Sequence, residues 1–198
     1  MKILIIYSHP GPRGFSSCFL EKSIKILKER NINFEVLDLY KMNYNPVLKP
    51  EELYTAGKRE ISEQNKQIQE KIKLADGLIF IYPVWWGGMP AILKGFIDRI
   101  FTPGFAFKYN KEKLLKFIPD KLLNDKKILV FISSGGPKFL YKIILDPIKL
   151  INKFFIFGLF SSKTITYQVY GAGKLDNKKA EEINRSIRRG INWILKQE

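Results

Sequence analysis

A chain of 198 residues, 45% hydrophobic and 27% charged, has the length of one domain, for which roughly 100–200 residues is the rule, and the composition of an ordinary globular protein. No apolar run reaches the roughly 18 residues of a membrane span, the opening "MKILIIYSHP" lacks the long apolar region and cleavage site of a signal peptide, and the single Cys18 excludes an intrachain disulfide. The net charge of +15 is uneven, +4 over residues 1–100 and +11 over residues 101–198, but no run of five Lys or Arg occurs, so it reads as solvated faces rather than a nucleic-acid patch.

"KILIIY" (2–7) is a short continuous apolar run, which predicts a strand covered on both faces. Residues 17–29 repeat apolar positions at Phe19, Leu20, Ile24 and Leu27, a helical spacing. Cys18 reads as a small buried residue on that helix, with a functional thiol as the alternative. "FEVLDL" (34–39) is a second strand. The polar stretch from Pro50 to Leu74 is dense in Glu and Gln, and its later part (61–74) predicts a helix with Ile61, Ile68 and Ile72 inward. "GLIFIY" (77–82) is a third strand. "PAILKGFIDRIF" (90–101) is a helix with proline in its first turn, where the missing N–H costs nothing. "KILVFIS" (127–133) is a fourth strand, residues 138–155 are helical with a break near Pro147, "KTITYQV" (163–169) is a fifth strand, and residues 177–197 close the chain as an amphipathic helix.

Strands alternating with helices imply a parallel sheet with helices on both faces. Right-handed crossovers leave few topologies, and five strands suit the order 2-1-3-4-5. The expectation is a three-layer α/β sandwich, a single domain over residues 1–198, in a cytoplasmic protein with no nucleic-acid partner, no metal and no integral membrane association.

Ligands of open α/β sheets bind beyond the carboxyl ends of the strands at the topological switch point. The loops there are "SHPGPRGFSS" (8–17), "PVWWGGMP" (83–90) and "SSGGPKF" (133–139), rich in Gly and Ser. In the first, free backbone N–H groups at a helix start favour an anion, and His9 could add a donor; alternatively Ser16 or Ser17 merely caps the helix. The loop matches neither G-x-x-x-x-G-K-[ST] nor G-x-G-x-x-G, which excludes a P-loop and a Rossmann dinucleotide site. The third loop offers hydroxyls and bare backbone to a flat ring, or simply makes a tight turn. The second places the amides of Val84 to Gly87 at the cleft with Trp85 and Trp86 as flat walls; alternatively the indoles pack under the next helix or in a subunit contact.

"PVWWGGMPAILKGFIDRIF" (83–101) and "DLYKMNYNPV" (38–47) resemble two blocks of the NAD(P)H:quinone oxidoreductases of flavodoxin-like fold, the DT-diaphorase type. The "SHP" and "SSGG" segments are further matches, in order over most of residues 1–141. The resemblance implies a bound flavin, FAD or FMN, a homodimer, and two-electron, ping-pong reduction of quinones or similar flat acceptors by NAD(P)H. It places His9, Phe15, Ser16 and Ser17 at the flavin's phosphate end, Pro83, Val84, Trp85, Trp86 and Gly87 along the isoalloxazine edge, and Ser133, Ser134, Gly135 and Gly136 on the pyrimidine side. Tyr141 falls near the N1–O2 edge as the catalytic side chain. Trp86 faces the substrate, with Phe107 and Tyr109 contributed across the dimer. Mammalian members pair the tyrosine with a histidine a few residues on; here that stretch reads "KIILDP". Charge stabilisation then falls to the backbone, Tyr141 or a lysine such as Lys138. Two other roles fit the same fold: a flavin-binding regulatory subunit of a potassium-efflux system, and a flavodoxin-like electron carrier, whose usual acidic docking face this basic chain lacks.

Overall fold

The structure is a computed structural model that describes residues 1–53, 59–110, 112 and 118–196. Its centre is a five-stranded sheet built from β1 (Lys2–Tyr7), β2 (Asn33–Asp38), β3 (Gly77–Pro83), β6 (Lys127–Ser134) and β7 (Thr164–Tyr170). The order is β2-β1-β3-β6-β7, and every pairing is parallel. This is the expected 2-1-3-4-5 arrangement. A two-stranded antiparallel ribbon of β4 (Phe107–Lys108) and β5 (Asp120–Lys121) was not anticipated. Strands this short carry no periodicity to read.

Successive side chains in a strand point to opposite faces, so each apolar strand feeds two cores. Ile3, Ile5 and Tyr7 of β1 pack with Phe15, Phe19 and Leu27 of α1 (Phe15–Glu29) and with Ile183, Ile187 and Ile191 of α6 (Asn177–Leu195). Leu4 and Ile6 pack on the other face with Ile68 and Ile72 of α2 (Glu63–Leu74) and with Leu93, Phe96 and Ile100 of α3 (Ala91–Ile100). Cys18 is buried on the inner face of α1. Among the described residues no helix is long and apolar enough to cross a membrane.

Several boundaries shift, for local reasons. The helix expected over 61–74 begins at Glu63, because the Ser62 hydroxyl caps it by accepting from the Asn65 amide at 3.3 Å. Ile61 therefore lies ahead of the helix, half-buried, instead of facing the core. Pro90 is the N-cap of α3, one residue before the helix. The second strand starts at Asn33 and ends at Asp38, the fifth runs over 164–170, and the closing helix ends at Leu195. The break in 138–155 falls at Leu145 and Asp146, both left-handed (φ 57° and 47°), between α4 (Lys138–Ile143) and α5 (Pro147–Leu150). A residue before proline is pushed out of the right-handed helical region. Beyond α5 the chain continues as a π-helical turn, Ile151–Ile156.

The segment joining β2 to α2 is held down by a buried ion pair. Arg99 of α3 donates from Nη2 to Glu52 Oε1 at 2.7 Å and from Nε to Glu52 Oε2 at 2.8 Å, and from Nη1 to the Asn45 carbonyl. The guanidinium also lies 5.6 Å from the centre of the Tyr44 ring. Burial raises the Glu52 carboxyl, but the Arg99 hydrogen bonds and the Lys49 amide outweigh it and hold the group below its ordinary pKa.

Candidate active site

The loops after β1, β3 and β6 are tied together at the carboxyl edge of the sheet. The Ser8 amide donates to the Ile81 carbonyl at 3.0 Å, and the Val84 amide donates to the Ser133 carbonyl at 2.7 Å. The His9 ring lies 6.3 Å from that of Trp85, so the first loop reaches the second.

In the first loop Gly14 is the N-cap of α1, with no side-chain cap. The alternative in which Ser16 or Ser17 caps the helix is therefore wrong: both are inside the first turn and buried. The Ser17 hydroxyl donates to the Gly14 carbonyl at 3.0 Å. The first bond of the helix runs from the Cys18 amide to the Gly14 carbonyl. The amides of Phe15, Ser16 and Ser17 thus have no acceptor within the helix, at the positive end of its dipole. His9 Nδ1 sits 3.1 Å from the Gly11 amide nitrogen. Beside it a cavity of about 370 Å³ is lined by Tyr7, Ser17, Asp38 and Lys41. Burial first, then the charges of Asp38 and Glu21, push the Tyr7 hydroxyl up to about 12.

The second loop is a two-residue reverse turn. The Trp85 amide donates to the Gly88 carbonyl at 2.9 Å and the Gly88 amide returns to the Trp85 carbonyl at 3.0 Å. Trp86 and Gly87 between them are both left-handed, φ 50° and 76°, the signature of a type I′ turn. The expectation that four amides from Val84 to Gly87 face the cleft needs correction. Those of Val84 and Trp85 are used inside the protein, which leaves Trp86 and Gly87 without backbone acceptors among the described residues. The Trp86 side chain is wholly exposed and Trp85 is 41% exposed, so neither packs under the following helix.

The third loop is knitted to the end of β7. The Ser134 carbonyl accepts from the Ala172 amide at 2.8 Å and the Gly136 carbonyl from the Gly171 amide at 3.0 Å. The Ser134 hydroxyl accepts from Gln168 Nε2 at 3.0 Å. Ser134 is buried, so this bond fixes the loop. The Tyr141 ring lies against Gly136, where a Cβ would come within 3.0 Å of it. Gly87, Gly136, Tyr141, Ile144 and Ile148 line one cavity of about 300 Å³.

Residues that sequence reasoning missed stand behind Tyr141. The Tyr170 ring lies 5.2 Å from it, centre to centre. The Tyr170 hydroxyl donates to Asp146 Oδ1 at 2.7 Å and accepts from Lys149 Nζ at 2.6 Å. Burial, then the Asp146 carboxylate, push that hydroxyl's pKa well up. Lys138 Nζ lies 5.9 Å from the Tyr170 ring centre. No spacing in the sequence links residues 24 apart on different elements. Phe107 and Tyr109 are elsewhere. They stack edge-on at 5.7 Å and line a separate cavity of about 500 Å³ with Phe101, Phe155 and Phe160.

Residues 1–188 match the Flavodoxin_2 family, described as a flavodoxin-like fold. A Haemophilus influenzae protein named an uncharacterized NAD(P)H oxidoreductase is 35% identical over 187 residues, covering 92% of this chain and 89% of that one. The chain belongs to the flavodoxin-like NAD(P)H oxidoreductase family. Within that family, the Pongo abelii ribosyldihydronicotinamide dehydrogenase [quinone] is 31% identical over 157 residues, which cover 71% of this chain and 66% of that one. The solved NAD(P)H:quinone oxidoreductase from Methanothermobacter marburgensis superposes with a TM-score of 0.79 at 27% identity, covering 100% of this oxidoreductase-family chain and 98% of its own.

Proposed function

We propose that this protein is a flavin-dependent NAD(P)H:quinone oxidoreductase acting on flat acceptors. The observation that carries this is the convergence of bare backbone from three loops on one edge, with an aromatic ring on either side. The amides of Phe15, Ser16 and Ser17 fit a phosphate at a helix start. Those of Trp86 and Gly87, with the Gly135 and Gly136 backbone opposite, fit the two edges of a planar ring. A Cβ at Gly87 or Gly135 would meet nothing within 4 Å, so the space above each turn is open. The residues present thus fit a flavin, FAD or FMN.

Hydride transfer from NAD(P)H to a quinone-like acceptor, in two half-reactions at one pocket, is the chemistry such a cofactor supplies when bound. The protein's part is positioning and electrostatics. The Trp86 and Gly87 amides act as preorganised dipoles that favour negative charge at the ring edge. Tyr141 would offer its hydroxyl as a hydrogen-bond donor to the bound ring. Trp86 supplies a flat wall that excludes water on the substrate side. His9 stands at the mouth of the phosphate end.

The protein acts as a homodimer. Between residues 139 and 155, Phe139, Ile143, Ile144, Leu145, Phe154 and Phe155 are more than half exposed, and clustered exposed apolar side chains mark interaction surfaces. A two-fold contact there would let Phe107 and Tyr109 reach the partner's cleft. The test is purification followed by an absorbance spectrum and extraction of the flavin. A yellow protein that oxidises NAD(P)H with a quinone is expected. A colourless protein that gains no NAD(P)H oxidation on addition of FAD or FMN overturns the reading.

A further inference from the structure

The cavity of about 370 Å³ beside His9 lies where the ends of β1 and β2 meet the start of α1, and its size is usual for a small-molecule site. Tyr7 and Asp38 are partners in the β1–β2 register, so their side chains leave the sheet on one face. Tyr7 is only 4% exposed. Its hydroxyl has no hydrogen-bond partner among the described residues, yet it is not one of the atoms sealed from solvent. The charges that act on it are those of Asp38 and Glu21, and both of these line the cavity with it. The hydroxyl therefore opens on the cavity. A buried tyrosine hydroxyl usually finds a partner, so this one marks a place for a ligand.

Asp38 Oδ1 accepts from the Lys41 amide at 3.1 Å, and Oδ2 lies 3.7 Å from Lys41 Nζ. A carboxylate has about four acceptor sites, so Asp38 can accept more. Lys41 already supplies a positive charge there, which leaves room for neutral donors rather than a second cation, and an anion would meet two carboxylates. Half-buried Tyr40, with Pro10 and Leu20, gives the cavity flat and apolar walls. We propose that it holds a nucleoside, with the ribose diol bonded to the Asp38 carboxylate and the Tyr7 hydroxyl and the base against Tyr40. In dinucleotide-binding α/β folds an acidic side chain about 20 residues past the phosphate loop accepts from the ribose. Asp38 follows Ser17 at about that spacing, although the loop lacks the glycine fingerprint of those folds. Ser17 lines the cavity as well, so a phosphate at the start of α1 can be joined to the nucleoside. That such a phosphate belongs to a flavin or a nicotinamide dinucleotide rests on the functional reading above; the diol site does not.

The test uses the full-length protein, oxidised and loaded with FMN, which has no adenosine of its own. Adenosine and 2′,3′-dideoxyadenosine, which differ only in the diol, are titrated by ligand-observed NMR. Tyr7→Phe keeps the ring in the core and removes the hydroxyl. Asp38→Asn keeps an acceptor for the Lys41 amide and removes the charge. The wild type should prefer adenosine, and the affinity ratio should fall by roughly 3- to 10-fold in each variant, the worth of one hydrogen bond. Equal affinities in the wild type, no binding of adenosine, or a ratio that stays put in either variant overturns the pocket. Two sources share this chemistry, and loading with FAD separates them. Loss of adenosine binding in the FAD form assigns the cavity to the flavin's own adenosine; binding in both forms, displaced by NADH, assigns it to the reductant. A yellow protein that oxidises NAD(P)H but shows no adenosine preference keeps the reductase reading and loses the pocket. A protein that takes up neither flavin but whose ratio falls in both variants keeps the pocket and loses the reductase reading.

Discussion

Trp86 holds a left-handed backbone with its indole entirely in solvent, a combination that packing within the protomer does not explain. A non-glycine residue in that region costs roughly 1–2 kcal/mol, and strain of this kind gathers at ligand sites. Gly87 takes the second left-handed position of the turn at no such cost. The large and the bare residue are thus two halves of one type I′ turn, and the strained half carries the ring. Trp86→Ala should keep its flavin and lose acceptor turnover in steady-state kinetics; unchanged kinetics would count against the wall. Trp86→Asn separates strain from function. Asn-Gly is the preferred pair for this turn, so a urea titration should show a gain of about 1 kcal/mol while acceptor turnover falls.

At the scale of elements, the long connection from β2 to α2 depends on α3. Gly95 sits so close to Pro46 that a Cβ there would lie 2.1 Å from the Pro46 carbonyl oxygen. Gly95→Ala must push the connection off the helix, at about 1–3 kcal/mol, read as a lowered denaturation midpoint. Arg99 and Glu52 seal the same contact. Arg99→Ala leaves a buried carboxylate unpaired and should cost about 3–5 kcal/mol. The pH dependence follows from the lowered pKa of Glu52. The pair's contribution is complete above the unfolded carboxyl value of about 4.3. It is lost as pH falls through the lower folded value, where the native state must take up the proton. Glu52→Gln should therefore flatten the acid limb of a stability-against-pH curve; a limb of unchanged steepness would remove Glu52 from the acid transition.

For the whole molecule, the apolar ridge of residues 139–155 predicts association. Ile143→Asp with Phe155→Asp should convert a dimer into a monomer by analytical ultracentrifugation, with the β-sheet signal in circular dichroism retained. A wild-type protein already monomeric at micromolar concentration would overturn the homodimer. The apolar runs of β1, β3 and β6 and the alternation of strand with helix were enough to predict a parallel sheet in the order 2-1-3-4-5. Buried strands must be apolar on both faces, and right-handed crossovers leave few ways to connect them. The loops that form the cleft were legible for the same reason, since a parallel sheet presents its carboxyl ends together. What the loops do with their amides was not. Val84 and Trp85 face inward partners, and Ser134 is held by Gln168, because hydrogen-bond partners are set by where other elements end. Tyr170 with Asp146 and Lys149 behind Tyr141, and Tyr82 with Asn152, pair residues 24, 21 and 70 apart along the chain. Periodicity carries information about which face a residue takes. Only the packed tertiary structure decides which polar atoms meet and which, like Asn152 Nδ2, are buried without a partner.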